Sequence, residues 1–174
     1  MISEEELAEY FASFTSSAFR LETLDTYRVA EEAEYFDRFL SGGDFPEEWR
    51  HNPWVRSITS TGRRLRRVRV LTPPLSDYLR FQLSWGYPGN VRDGEEISIL
   101  NLSDHPVPDL PDHDFWLFDE KTVLRMHYTG TGEFLGAERI DEDLTAEYLG
   151  YRDKALAAAV PYTDYWDRVH HDVE

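Results

Sequence analysis

The chain has 174 residues, 34 acidic against 18 basic side chains for a formal net charge of −16, 14% aromatic residues and no cysteine. That length suits one domain, residues 1–174, with enough apolar side chains to offset ordering entropy, which excludes disorder; the lack of cysteine excludes disulfides, thiol catalysis and thiolate-held metals. No apolar run approaches the roughly 20 residues that span a bilayer, and Met1 to Glu6 lacks the basic and apolar regions of a signal peptide, so a cytoplasmic protein without membrane contact is expected.

Ser3-Glu4-Glu5-Glu6 fits a capping box, and Leu7, Tyr10, Phe11 and Phe14 follow at i, i+3, i+4 and i+7, which predicts an amphipathic helix. A short extended piece runs from Ala18 to Leu21. Residues 30–40 place Ala33, Phe36, Phe39 and Leu40 on one helix face and stop at Gly42-Gly43. Asn52-Pro53 opens a short helix with Trp54 and Ile58 inward, ending near Gly62. Arg67 to Leu71 alternates as a strand, and Pro73-Pro74 leads into a helix carrying Leu75, Tyr78, Leu79, Gln82 and Leu83.

Residues 86–94 read as a turn-rich break, Glu96 to Leu100 as a strand, and His105 to Pro111 as an extended loop. Three consecutive strand-like runs, 114–119, 122–128 and 133–140, predict an antiparallel meander. Within it Phe115 to Phe118 reads as a strand buried on both faces. Residues 141–159 are helical with acids in the first turn, and Tyr162 to His170 forms a last short helix after Pro161. The expected fold is α/β, a mixed sheet of about five to six strands packed by helices, with α+β as the alternative.

Charge is segregated along the chain. Residues 1–48 carry 3 cations and 13 acids, residues 49–92 carry 9 and 1, and residues 93–174 carry 6 and 20. The acidic total disfavours nucleic acid and anionic lipid, so such binding would have to run through the arginine-rich middle. There, residues 63–69 hold five arginines in seven positions. Arg64, Arg67 and Arg69 could form a phosphate-holding stripe, with Arg67 and Arg69 on one strand face; the competing expectation is that they pair with the surplus carboxylates.

For metals, His113 sits between Asp112 and Asp114 and the chain ends in His170-His171-Asp172, but no helical His-x-x-x-His spacing occurs and the tail is expected to be solvated. No metal or cofactor is expected. Neither a Gly-x-Ser-x-Gly elbow nor a phosphate-binding glycine loop is present, and Asp119-Glu120 and Asp141-Glu142 fall where a turn or helix start selects acids. The five tryptophans, with ten tyrosines and ten phenylalanines, suit either a dense aromatic core or a partner-binding face.

The strings "RRVRVLTPPLSDYLRFQL" and "DFWLFDEKTVLRMHYTGTGEFLGAE", with "SAFRLETLDTYRV", "EEAEYFDRFLSG" and "YRDKALAAAVPYTDY", resemble an actinobacterial family of small proteins without an established activity. Its genes often lie beside XRE-type helix-turn-helix regulators. The resemblance covers nearly the whole chain and implies a regulatory or toxin-antitoxin-like setting, with no catalytic residues to carry over. The order of strand, helix, strand, loop and "DFWLFDEKTVLRMHY" is also similar to half of a phospholipase D-type domain. Aligned on Asp119, that pattern puts Asp112 where a nucleophilic histidine is required and Asp114 where a phosphate-binding lysine is required, which reverses the chemistry.

The leading expectation is thus a non-enzymatic regulatory protein that binds a protein partner encoded nearby, such as a helix-turn-helix regulator. A second reading is a nucleic-acid- or nucleotide-acting enzyme or toxin using Arg64, Arg67 and Arg69 with His113 or His127 as base. A third is a small-molecule sensor with a pocket lined by Trp85, Trp116, Tyr128 and His113.

Overall fold

A computed structural model describes residues 1–171. The class is α/β. Among the described residues, seven strands make one mixed sheet in the order β6-β5-β4-β1-β2-β3-β7. Helix α1 (Glu4–Ser13) starts with the expected capping box, Glu6 N donating to Ser3 Oγ at 3.2 Å and Ser3 N to Glu6 Oε2 at 2.8 Å. Strand β1 (Ser17–Glu22) then pairs in parallel with β2 (Arg64–Leu71), which pairs in parallel with β3 (Glu96–Asn101). The first crossover carries α2 (Ala33–Leu40) and α3 (Pro53–Thr59); the second carries α4 (Asp77–Phe81) and α5 (Tyr87–Arg92). The predicted meander is β4 (Phe115–Phe118), β5 (Thr122–Tyr128) and β6 (Phe134–Arg139), with β4 antiparallel to β1. Helix α6 (Thr145–Ala158) and α7 (Tyr162–His171) flank the two-residue strand β7 (Val160–Pro161).

Both faces of the sheet are covered. Phe19, Leu21, Val68, Val70, Leu100, Phe115, Leu117 and Val123 pack against Tyr148 and Ala155 of α6. The alternate residues Ala18, Leu65, Trp116, Phe118 and Leu124 face Phe14, Val55 and Ile58. Burial of all four residues of β4 follows from this two-sided cover, as the uninterrupted Phe-Trp-Leu-Phe run predicts.

Four local expectations are corrected. Trp54 is 43% exposed while Val55 and Ile58 are buried, because the Asn52 cap sets the helix phase so that positions 55 and 58 face the sheet. Leu40 is 50% exposed; it ends α2, whose inward contacts are Phe36 and Phe39 on Phe81. Residues 87–92 are helical rather than a break, continuing α4 through a π-helical turn at Gln82–Gly86; Pro88 follows that turn, and the Leu83 carbonyl five residues before it accepts from Tyr162 Oη. The seventh strand, β7, is too short to leave a periodic signal; it pairs antiparallel with β3 at Ser98 and Ile99. The expectation for His170-His171-Asp172 concerns side chains outside the described residues.

Gly89 lets α5 approach the 3-10 turn at Glu47–Arg50: a Cβ there would lie 2.4 Å from the Trp49 carbonyl oxygen. Gly89→Ala is therefore expected to lower stability by about 1–3 kcal/mol in urea unfolding, although alanine is the better helix former by about 1 kcal/mol. An unchanged or raised midpoint would show that the two segments move apart freely.

Two contacts fix the meander. The β4–β5 turn holds Asp119 and Glu120 at φ of 53° and 59°. The Asp119 carboxylate accepts the backbone N–H groups of Thr15, Ser16 and Ser17 at 2.9, 2.7 and 3.0 Å. Burial opposes its charge, and these three donors outweigh that and hold its pKa well below the usual carboxylate range. On the outer edge of β6, Ile2 N donates to Ala137 O at 2.6 Å and Ile2 O accepts from Ala137 N at 3.0 Å. Among the described residues no helix is long and apolar enough to cross a membrane.

Candidate functional site

The parallel register of β1 and β2 sets Arg20 beside Arg67 and Glu22 beside Arg69, all four on the face under α2–α5. Neighbouring guanidiniums repel, so burial requires carboxylates between them. Glu22, 2% exposed, supplies the first: Oε1 accepts from Arg67 Nη1 and from Tyr87 Oη (3.1 Å), and Oε2 from Gln82 Nε2 (3.0 Å), with Arg69 Nη1 at 3.5 Å. Glu95 takes Arg67 Nε at 2.7 Å and is held by Asn90 Nδ2 at 2.8 Å. Arg69, 0% exposed, also donates to the Leu24 carbonyl and to Tyr27 Oη (3.2 Å).

Asp114 closes the array from the loop before β4. It accepts Thr23 N and Thr23 Oγ1 at 2.7 Å each, Tyr27 Oη at 2.5 Å, and Arg20 Nη2 at 3.3 Å. Arg20 Nη2 also donates to Tyr128 Oη at 2.8 Å, and its guanidinium lies over Trp116. Three guanidiniums thus meet three carboxylates inside the fold. Burial works against the Glu22 charge, and the Arg67, Arg20 and Arg69 charges outweigh it and keep the carboxyl well below its ordinary range. Burial pushes the Tyr27 and Tyr87 hydroxyls up, so both stay neutral donors.

Arg67 reaches the edge of this array and lines a cavity of about 370 Å³. Its other walls are Glu32; Glu48 and Trp49; His51, Asn52 and Pro53; and Gln82, Gly86, Tyr87 and Asn90. Gln82 is 8% exposed, and its Oε1 has no hydrogen-bond partner among the described residues. Glu32 accepts one bond, from Tyr78 Oη at 2.8 Å; burial pushes its carboxyl above the ordinary value and that bond offsets part of the shift. At the rim, His51 Nδ1 lies 3.1 Å from Asp93 Oδ1 and 2.9 Å from Arg56 Nη2. Burial disfavours the Asp93 charge, but hydrogen bonds from Arg56, Asn52 N and His51 draw its pKa down to about 2.

The arginines of the sequence pattern divide. Arg64 is exposed and paired with Glu96 (3.0 and 2.8 Å), on the face opposite Arg67 and Arg69. No single stripe of Arg64, Arg67 and Arg69 exists to hold a phosphate, because the strand is covered on both faces and the inner pair is taken up by carboxylates. Nor are the two candidate bases nearby. His113 Nε2 bonds Tyr148 Oη (2.9 Å) of α6, and His127 Nε2 bonds Glu138 (2.9 Å) on that same side of the sheet.

Trp85, Trp116, Tyr128 and His113 do not converge into one pocket either. Trp116 is packed under Phe11 of α1, Trp85 against Phe39 and Phe81, and Tyr128 touches Tyr27 and Phe134. Among the described residues no group of three His, Asp or Glu side chains is placed to hold a metal ion. Sequence reasoning missed Glu22, Glu32, Glu48, Glu95 and Gln82 as site residues. Only Gln82 carried a signal: a polar side chain on the inward stripe of an otherwise apolar helix.

Residues 5–167 match the model of a family described as "Domain of unknown function (DUF6879)". A comparison with curated proteins finds no match.

Proposed function

The chain belongs to the DUF6879 family, and we propose that it is a non-enzymatic regulatory protein that binds a small molecule in the Arg67 cavity and a protein partner on its surface. The cavity supports this most directly: polar side chains from five separate segments converge on a half-open cleft of the size that small ligands occupy. A His51–Asp93 pair at the rim favours a second, hydrolytic reading. Arg56 competes for His51 Nδ1, however, and a general base needs that nitrogen to donate to the carboxylate.

The partner is proposed to be a protein encoded beside this one, such as a helix-turn-helix regulator. Exposed Trp54, with Leu7, Phe11 and Ile58 in the groove between α1 and α3, supports a surface for it. The test is thermal unfolding against a metabolite panel, with Gly86→Leu as the control. Gly86 lines the cavity, and a Cβ there meets only Gln82 Cγ at 3.7 Å, so leucine is expected to fill the space without unfolding the helix. A ligand at 100 times its dissociation constant should stabilise the wild type by about 2.7 kcal/mol and leave Gly86→Leu unmoved. Stabilisation that is equal in both proteins, or absent from both, would remove the cavity from the function.

A further inference from the structure

The charges around the cavity are unequal in a way that selects its occupant. Inside the fold, Arg20, Arg67 and Arg69 are matched by Glu22, Glu95 and Asp114, so Arg67 arrives at the cavity wall already bonded to two carboxylates. It has little attraction left for an anion. Asp93 at the rim is likewise matched by Arg56. Among the described residues Glu32 and Glu48 then stand on the walls outside any ion pair, their bonds in this region coming from the neutral hydroxyls of Tyr78 and Tyr35. Trp49 and Tyr87 add aromatic side chains to the walls. What these walls offer outside any ion pair is two carboxylates beside aromatic faces, which is the chemistry that recognises a donor-rich cation.

Resting on the reading that this cavity is a ligand site, we propose that it takes a small organic cation bearing a primary ammonium or guanidinium group, held by Glu32 beside Trp49 and Tyr87 with Glu48 at the mouth. Burial disfavours the Glu32 charge, and a cation beside it offsets that penalty.

The experiment is isothermal titration at physiological ionic strength with agmatine, spermidine and argininamide as cationic probes, and AMP and acetate as anionic ones. At least one cation is expected to bind saturably at one site, and both anions to give no heat. Glu32→Gln, which keeps the shape and the acceptor for Tyr78, should weaken that binding about tenfold or more, since it removes a charge-assisted hydrogen bond. Glu147→Gln, on the remote and exposed surface of α6, should leave it within about twofold, which separates the cavity from general attraction to an acidic chain. Circular dichroism and the urea midpoint confirm that each variant is folded; were Glu32→Gln to fail that check, Glu48→Gln replaces it with the same expected direction. Equal weakening by the cavity variant and Glu147→Gln, or saturable AMP binding without any cation binding, overturns the cation assignment, and the second result leaves the ligand-site reading standing. If no cation binds and the metabolite panel also fails to separate the wild type from Gly86→Leu, both fall together.

Discussion

Glu22→Ala is expected to lower the unfolding free energy by about 3–5 kcal/mol, a large share of the roughly 5–15 kcal/mol that a domain of this size possesses. Removal of this carboxylate leaves Arg67 and Arg69 buried with one fewer counter-charge and takes the acceptor from Gln82 and Tyr87. The penalty comes from uncompensated charge more than from any lost attraction. The double variant Glu22→Leu/Arg69→Met should accordingly recover part of the loss, since a buried ion pair can often be exchanged for apolar side chains at small net cost. Urea unfolding of the three proteins is the measurement, and a single-variant loss below about 1 kcal/mol would show that the array contributes little. Acid should act on the same bond. The folded carboxyl titrates below its unfolded value near 4.5, so this stability is fully present above that pH and declines as pH falls beneath it. Glu22→Gln should flatten that decline.

Asp119→Ala is expected to cost about 2 kcal/mol and to loosen the joint between α1 and the sheet. Its carboxylate receives three successive backbone N–H groups that no strand or helix bond satisfies, and the alanine would still have to adopt positive φ without the short polar side chain that makes this tolerable. Asp119→Asn keeps one acceptor oxygen and the turn preference, and should fall between the two. Hydrogen exchange at Thr15, Ser16 and Ser17 would report the change directly; protection equal to that of the wild type would mean that these amides are held by other means.

The contrast between these two carboxylates shows what the amino-acid order could convey. Periodicity marked nearly every element, because an amphipathic helix or a strand is specified by neighbours within a few positions: Ser3 with Glu6, Asn52 with Pro53, Phe115 to Phe118. The α/β class followed from those elements in sequence. The site did not, because its members meet through strand register. Glu22 lies 47 residues from Arg69, and only the parallel pairing of β1 with β2 makes them neighbours. Alternation of Arg67 and Arg69 with Val68 and Val70 reads locally as one wet face and one dry face. In the fold α2–α5 cover the arginine face too, so the same alternation yields a buried charge array. Glu32, Glu48 and Gln82 each fit an ordinary helical role on their own, and only the crossover geometry brings them to one cavity.

The two flanks of the sheet bear on how the molecule meets its surroundings. At β6 the open edge is interrupted where Ile2 takes both bonds of Ala137, and at β3 it is covered by β7, whose Pro161 has no N–H to offer outward. A neighbouring strand therefore finds no long ladder to continue on either flank. Growth of the sheet from copy to copy, the usual hazard of a wide mixed sheet, is blocked by main-chain geometry rather than by charge, and it should stay blocked in high salt.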